Sequence, residues 1–202
     1  MNLSELGIVG PVEDQEGVMD RRARLEALWP SVQAGDRSAL DALFTEWAPV
    51  VLRWCRRLGG PAIDAEQAAQ EALIVMFRRL HTVAVPRAFP SWTFSVVRNT
   101  VRDRRREAFG RRWDPEADVP AMGVEMDVQG RDELEQVWQV LEGLSPDLRE
   151  VLVLCDVEQR TDPEAAELIG IPVGTAKSRL RRARAKLREE AQRRGLRAEG
   201  SA

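Results

Sequence analysis

Between Gly174 and Leu187 the chain reads "GTAKSRLRRARAKL", a density of cations out of keeping with a formal net charge of −3 over 202 residues. Wound at about 3.6 residues per turn, the segment puts Ala176, Leu180, Ala183 and Leu187 on one narrow apolar seam. Lys177, Arg181, Arg184 and Arg188 flank the seam on one side and Arg179, Arg182 and Lys186 on the other, with small Ser178 and Ala185 opposite. Such a helix can dock by its seam and offer guanidinium groups to a polyanion, although a solvated basic face has the same pattern. A second basic run, "RNTVRDRRRE" (98–107), follows Phe89, Trp92 and Phe94. Aromatic surfaces beside cations are what single-stranded nucleic acid requires; a core role for Trp92 is the other reading.

Acid is gathered elsewhere, chiefly in "WDPEADVPAMGVEMDVQGRDELE" (113–135). Charge segregated in this way points to local contact with a polyanion rather than indiscriminate coating of one. Catalytic chemistry finds little support. His81 is the sole histidine, and the two cysteines, Cys55 and Cys155, are far apart and set among apolar residues. Without a Cys/His cluster no metal or other cofactor is expected, and both thiols read as buried and reduced. A nuclease would need clustered carboxylates or a paired nucleophile and base, and neither is evident. The N-terminus lacks a signal peptide's basic start and apolar run, and "ALIVMF" and "VLVLC" are too short to span a bilayer. A cytoplasmic protein with no direct membrane insertion is expected.

The elements that must position these side chains are all helical. Residues 1–24 read as a mobile arm and residues 25–108 as a first helical domain. In it Leu40, Phe44, Trp47, Val51, Trp54 and Leu58 recur at helical spacing, and Pro49 should kink or divide their helix. Asp64 is placed to cap "DAEQAAQEALIVMFRRL", whose polar face is Glu66, Gln67, Gln70 and Glu71 and whose apolar side is Ala65, Ala68 or Ala69, Ala72, Met76 and Leu80. A third helix starts near Ser91. Residues 109–131 read as an acidic flexible linker, 132–192 as a second helical domain and 193–202 as a tail. In the second domain Ser145-Pro146 and Asp162-Pro163 are start signals. "DPEAAELIG", a tight turn and the basic helix then have helix-turn-helix spacing. Ala165, Leu168 and Ile169 are expected against the seam, with Ile171 and Val173 plugging the corner. The fold class is all-α: two small helical domains joined by a flexible linker.

These blocks in this order resemble a bacterial RNA polymerase sigma factor of the extracytoplasmic-function (ECF) group of the sigma-70 family. "ALFTEWAPVVLRWCRRL", "DAEQAAQEALIVMFRRL" and "FPSWTFSVVRNTVRDRRRE" resemble region 2, and "LEGLSPDLREVLVLCDVEQRTDPEAAELIGIPVGTAKSRLRRARAKLRE" resembles region 4. The resemblance implies a non-catalytic specificity subunit that binds core RNA polymerase through the β′ clamp and β flap. Asp64, Glu66, Gln70 and Glu71 would then face core polymerase. Phe89, Trp92, Arg98, Asn99, Asp103, Arg105 and Arg106 would serve the −10 element, and Thr175, Lys177, Ser178, Arg181 and Arg182 the −35 element of promoter DNA. An anti-sigma factor is an implied further partner. The stretch "CDVEQRTDPEAA" departs from the family's Leu-Ser followed by an aromatic residue and acids, so its phosphate contacts are open. The competing expectation is a two-domain regulator that binds DNA unaided.

Overall fold

A computed structural model describes residues 15–109, 138 and 141–193. Residues 1–14 of the expected arm, 110–131 of the expected linker and 194–202 of the expected tail lie outside the described residues. Helices account for the regular structure, with no strand among the described residues. The chain divides into two compact units, with the boundary between Ala108 and Phe109.

The first unit holds α1 (Gln15–Gln33), α2 (Arg37–Gly59), α3 (Ala65–Arg79) and α4 (Phe89–Phe109). Two aspartates start helices by satisfying amide groups that a helix N-terminus leaves unpaired. Asp36 accepts from the Ala39 amide at 2.8 Å, and Asp64 from those of Glu66 and Gln67 at 3.0 Å each. The core is a stack of rings: Phe89 lies 5.6 Å from Trp29 and 5.0 Å from Trp47, while Trp54 lies 5.2 Å from Phe94, all edge to face. Edge-on packing suits the aromatic quadrupole and binds α1, α2 and α4 together.

Two expectations are corrected here. Helix α1 begins at Gln15, within the stretch read as a mobile arm. Leu25, Trp29 and Val32 are buried, and Arg24 donates to Glu46 of α2 at 3.0 Å. These three apolar anchors all lie in the part read as helical, so the correction concerns the start of the helix, whose first turns carry mostly charged and small residues. Helix α2, for its part, runs through Pro49 without being divided. Proline denies Thr45 its helical donor, yet Trp47, Val50, Val51 and Trp54 are buried on either side and hold the turns in line. The buried face is also rotated from the expected stripe: Ala39 and Leu43 are buried, whereas Leu40 and Phe44 are half-buried.

The second unit holds α5 (Pro146–Leu152), α6 (Asp162–Ile169) and α7 (Val173–Arg193). Ser145 precedes α5 and Pro146 opens it, as expected. Buried Arg149 donates to the carbonyls of Leu141 at 2.8 Å, Glu142 at 3.1 Å and Leu144 at 3.2 Å, closing the turn before α5. Beyond Leu152 the helix widens into a π-turn over Val153–Val157, every residue of which is buried. The chain then leaves through Gln159 at φ 54°, a left-handed conformation costly for a residue with a Cβ. The start of α6 is a correction: Thr161, not Asp162, is the N-cap. Glu164 accepts from the Thr161 amide at 2.8 Å and from its hydroxyl at 2.7 Å, fixing this start.

Candidate nucleic-acid interface

The seam of α7 is as expected: Ala176, Leu180, Ala183 and Leu187 are all buried. Ala165, Ala166 and Ile169 of α6 are buried too, whereas Leu168, placed in the contact from sequence, is half-buried. Gly170 at φ 79° turns the chain, and its amide and that of Ile171 both donate to the Ala166 carbonyl, at 2.9 and 3.0 Å. Ile171 is half-buried, and Val173 is 38% exposed, so it does not plug the corner. The two helices and this turn make the expected helix-turn-helix.

The cations of α7 sort into two sets. Arg179 is held by Asp147 of α5 at 2.7 Å. Arg184 grips Asp156 with both arms, at 2.5 and 3.2 Å, and Asp156 is 1% exposed. Its hydrogen bonds to Asp156, opposed by partial burial, hold the Arg184 pKa above the usual arginine value. These two arginines serve folding. Lys177, Arg181 and Arg182 are exposed, as are Lys186 and Arg188. Thr175 and Ser178 are half-buried, and the Ser178 hydroxyl donates to the Thr175 carbonyl at 2.9 Å. Lys177 and Arg181, one turn apart, thus lie exposed on the same side of α7.

On α4 the seven residues named for strand contact do not stay together. Asn99, Asp103 and Arg106 are exposed on successive turns of one face, with Arg106 donating to Asp103 at 3.1 Å. Trp92 and Arg98 are half-buried, and the Trp92 ring lies 5.8 Å from Phe89. Two assignments are overturned. Phe89 is fully buried at the centre of the ring stack and cannot meet a base. Arg105 is 3% exposed and donates to the Gly59 carbonyl at 2.7 Å, placing a cation at the C-terminal end of α2 where the helix dipole favours it. A Cβ at Gly59 would lie 2.4 Å from Ile63 Cδ1, so the Ile63 side chain would have to shift to admit one.

The face of α3 is likewise divided. Asp64 is occupied as a helix cap, and Glu71 is bound to Arg104 of α4, whose Nε donates to it at 2.8 Å. Glu66 and Gln70 are exposed, and Arg56 of α2 donates to Glu66 at 3.1 Å. Sequence reading missed Ile74, 50% exposed, and Phe77, 63% exposed, which continue the line from Glu66 and Gln70. Phe77 rests 5.8 Å from Phe44 of α2. The clue was in "ALIVMF": a run of consecutive apolar residues is wider than one seam can bury, so some must face outward. Cys55 and Cys155 are buried free thiols, each pushed up to about 12 chiefly by burial. Among the described residues no cluster could hold a metal, and no helix is long and apolar enough to cross a membrane.

Residues 43–109 match the family model described as Sigma-70 region 2, and residues 134–187 the one described as Sigma-70, region 4. The chain belongs to the sigma-70 family. RNA polymerase sigma-H factor of Pseudomonas aeruginosa is 33% identical over 168 residues, spanning 76% of this chain and 86% of that one. ECF RNA polymerase sigma-E factor of Escherichia coli is 30% identical over 174 residues, spanning 79% and 90%. Among solved structures, CnrH in complex with the cytosolic domain of CnrY superposes with a TM-score of 0.61 at 26% identity, covering 81% of this chain and 94% of that one. The sigma factor RpoE of Bartonella quintana, solved with the anti-sigma factor NepR, shares the fold with a TM-score of 0.55 at 21% identity, covering 76% and 96%. Within the family this chain is an ECF sigma factor.

Proposed function

We propose that this sigma factor is a non-catalytic specificity subunit that binds core RNA polymerase and directs promoter-specific initiation in the cytoplasm. The observation that carries the reading is the sorting of charge on α7, where folding takes up Arg179 and Arg184 and leaves Lys177, Arg181 and Arg182 exposed. With Thr175 and Ser178 these residues would hold duplex DNA at the −35 element. On α4, Asn99, Asp103 and Arg106 would take an unpaired base of the −10 element, with Arg98 and Trp92 beside them. Unstacking a base costs a few kcal/mol, so capture must offset it. Glu66 and Gln70 suit a basic partner surface, and exposed Ile74 and Phe77 add apolar contact, which fits docking to core polymerase.

An anti-sigma factor is the further partner proposed, since both solved neighbours carry a second protein and one of these is called an anti-sigma factor. With a net charge of −3 the free chain should bind DNA weakly, polymerase supplying the rest through effective concentration. The test is run-off transcription on genomic DNA from the source organism, with sigma-free core polymerase and this chain. Discrete new transcripts that vanish with the Asn99→Ala, Asp103→Ala double variant are expected. Absence of chain-dependent transcripts beside an active control sigma, together with promoter shifts made by the chain alone, would favour the unaided DNA-binding regulator.

A further inference from the structure

Helix α1 ends at Gln33 and lies ahead of residues 43–109, the segment matching region 2. Its end is firmly held. The Ala34 amide donates to the Pro30 carbonyl and the Asp36 amide to that of Ser31, each at 3.0 Å, and Gly35 turns the chain at φ 76°. Val32 beside Gln33 is buried, and one turn earlier Trp29 meets Phe89 at the start of α4. From this platform the Gln33 amide nitrogen donates to the Ala84 carbonyl at 3.1 Å, across 51 residues of sequence. A carbonyl can only accept, so the partner fixes which end of the Gln33 amide is turned to it.

Ala84 sits in the middle of the loop between α3 and α4. Two single turns of 3-10 helix, Leu80–Thr82 and Pro86–Ala88, leave residues 83–85 between them. Val83 is buried, while Ala84, Val85 and Arg87 are exposed, Val85 by 42%. The bond from Gln33 therefore holds the chain at the point where it leaves the core. The loop runs directly into α4, where Trp92, Asn99, Asp103 and Arg106 recur at helical spacing with Trp92 at the loop end.

We propose that Gln33 is a positioning residue for strand opening: through the Ala84 carbonyl it fixes residues 83–88 at the mouth of the α4 stripe. Gln33 itself touches no DNA in this role, which rests on the function proposed above. Without the bond, the loop must be ordered at the moment an unpaired strand is captured. That entropy falls on opening and not on the first encounter with duplex.

The test compares wild type with Gln33→Met, which keeps the length of the side chain and removes the donor. Gln33 is exposed, and a thermal melt checks that the first unit stays folded. Amide hydrogen exchange of the full chain reads the loop through Val83 and Ala88, whose amides donate to the Leu80 and Val85 carbonyls at 3.0 and 3.1 Å. Opening is read by permanganate reactivity of unpaired thymines, on a promoter found by the run-off experiment, over a range of holoenzyme concentration. Expected in the variant are faster exchange of both amides and opening about threefold to tenfold slower at saturating holoenzyme, the half-saturating concentration staying within about twofold of wild type. Unchanged exchange, unchanged opening beside faster exchange, or a shift in half-saturation alone overturns the role. A wild-type chain that opens no promoter removes the proposed function and this role with it; if wild type and variant open a promoter equally, only the role of Gln33 falls.

Discussion

The basic runs of α4 and α7 are nearly indistinguishable as strings of letters, and the fold treats them differently. Arg105 of α4 is drawn into the first unit by the Gly59 carbonyl at the end of α2, to which it donates. Arg104 is drawn sideways to Glu71. On α7 the captured residues are Arg179 and Arg184, those opposite Asp147 and Asp156, while Lys177 and Arg181 meet no such acid among the ion pairs of the described residues. A charge run is therefore not one functional unit. What each cation does is decided by whether the neighbouring element presents an acceptor at the right turn.

The largest effects should separate core from surface among side chains of the same type. Phe89→Ala should destabilise the first unit by about 3–5 kcal/mol, whereas Phe77→Ala should leave stability nearly unchanged and weaken binding to core polymerase. Urea unfolding followed by tryptophan fluorescence, with a polymerase pull-down, checks both; equal stability losses would dissolve the distinction. Next, Arg105→Ala should cost about 2–3 kcal/mol by leaving a buried carbonyl without its charged donor. Arg181→Ala should stay within about 0.5 kcal/mol of wild type, and comparable losses in the two would mean that α4 and α7 do not differ as described.

Asp156→Asn sharpens the comparison within α7. It should cost about 1–2 kcal/mol, less than a fully buried pair because Arg184 is 39% exposed and can turn to water. Glu164 supplies a pH signature. Burial raises its pKa, but the hydrogen bonds from Thr161 and the charge of Arg160 outweigh this and leave it below the usual 4.5. The group thus adds stability that is fully present above 4.5 and is lost as pH falls through the lowered value. Glu164→Gln should flatten the acid limb of the stability curve of the second unit. Smallest of all, Gln159→Gly should raise stability by about 0.5 kcal/mol by relieving the left-handed residue, even though the bond from Gln159 to the Asp156 carbonyl at 2.9 Å is given up. A loss measured by thermal melting would show that bond to outweigh the strain.

Much of this was legible in the sequence because it depends on local spacing. The seam of α7, the cap at Asp64, the Pro146 start and the turn at Gly170 each follow from residues within a few positions of one another. What escaped depends on partners distant in the chain. Nothing near Phe89 indicates that Trp29 and Trp47 will close around it, and nothing near Arg105 indicates the Gly59 carbonyl. The start of α1 at Gln15 escaped because the residues before Leu25 carry no apolar periodicity. The outward turn of Ile74 and Phe77 follows from how much apolar width α2 can cover, which no window on α3 contains.

The most direct test of the account is transcription from a promoter that this sigma factor recognises, comparing holoenzyme made with wild type, with Lys177→Ala plus Arg181→Ala, and with Arg179→Ala. The account predicts that the double variant loses promoter-specific initiation while its stability and core-polymerase binding are retained, and that Arg179→Ala loses stability before it loses promoter choice. Wild-type initiation by the folded double variant, with promoter choice lost instead in a stable Arg179→Ala, would contradict the assignment of the exposed cations of α7 to DNA.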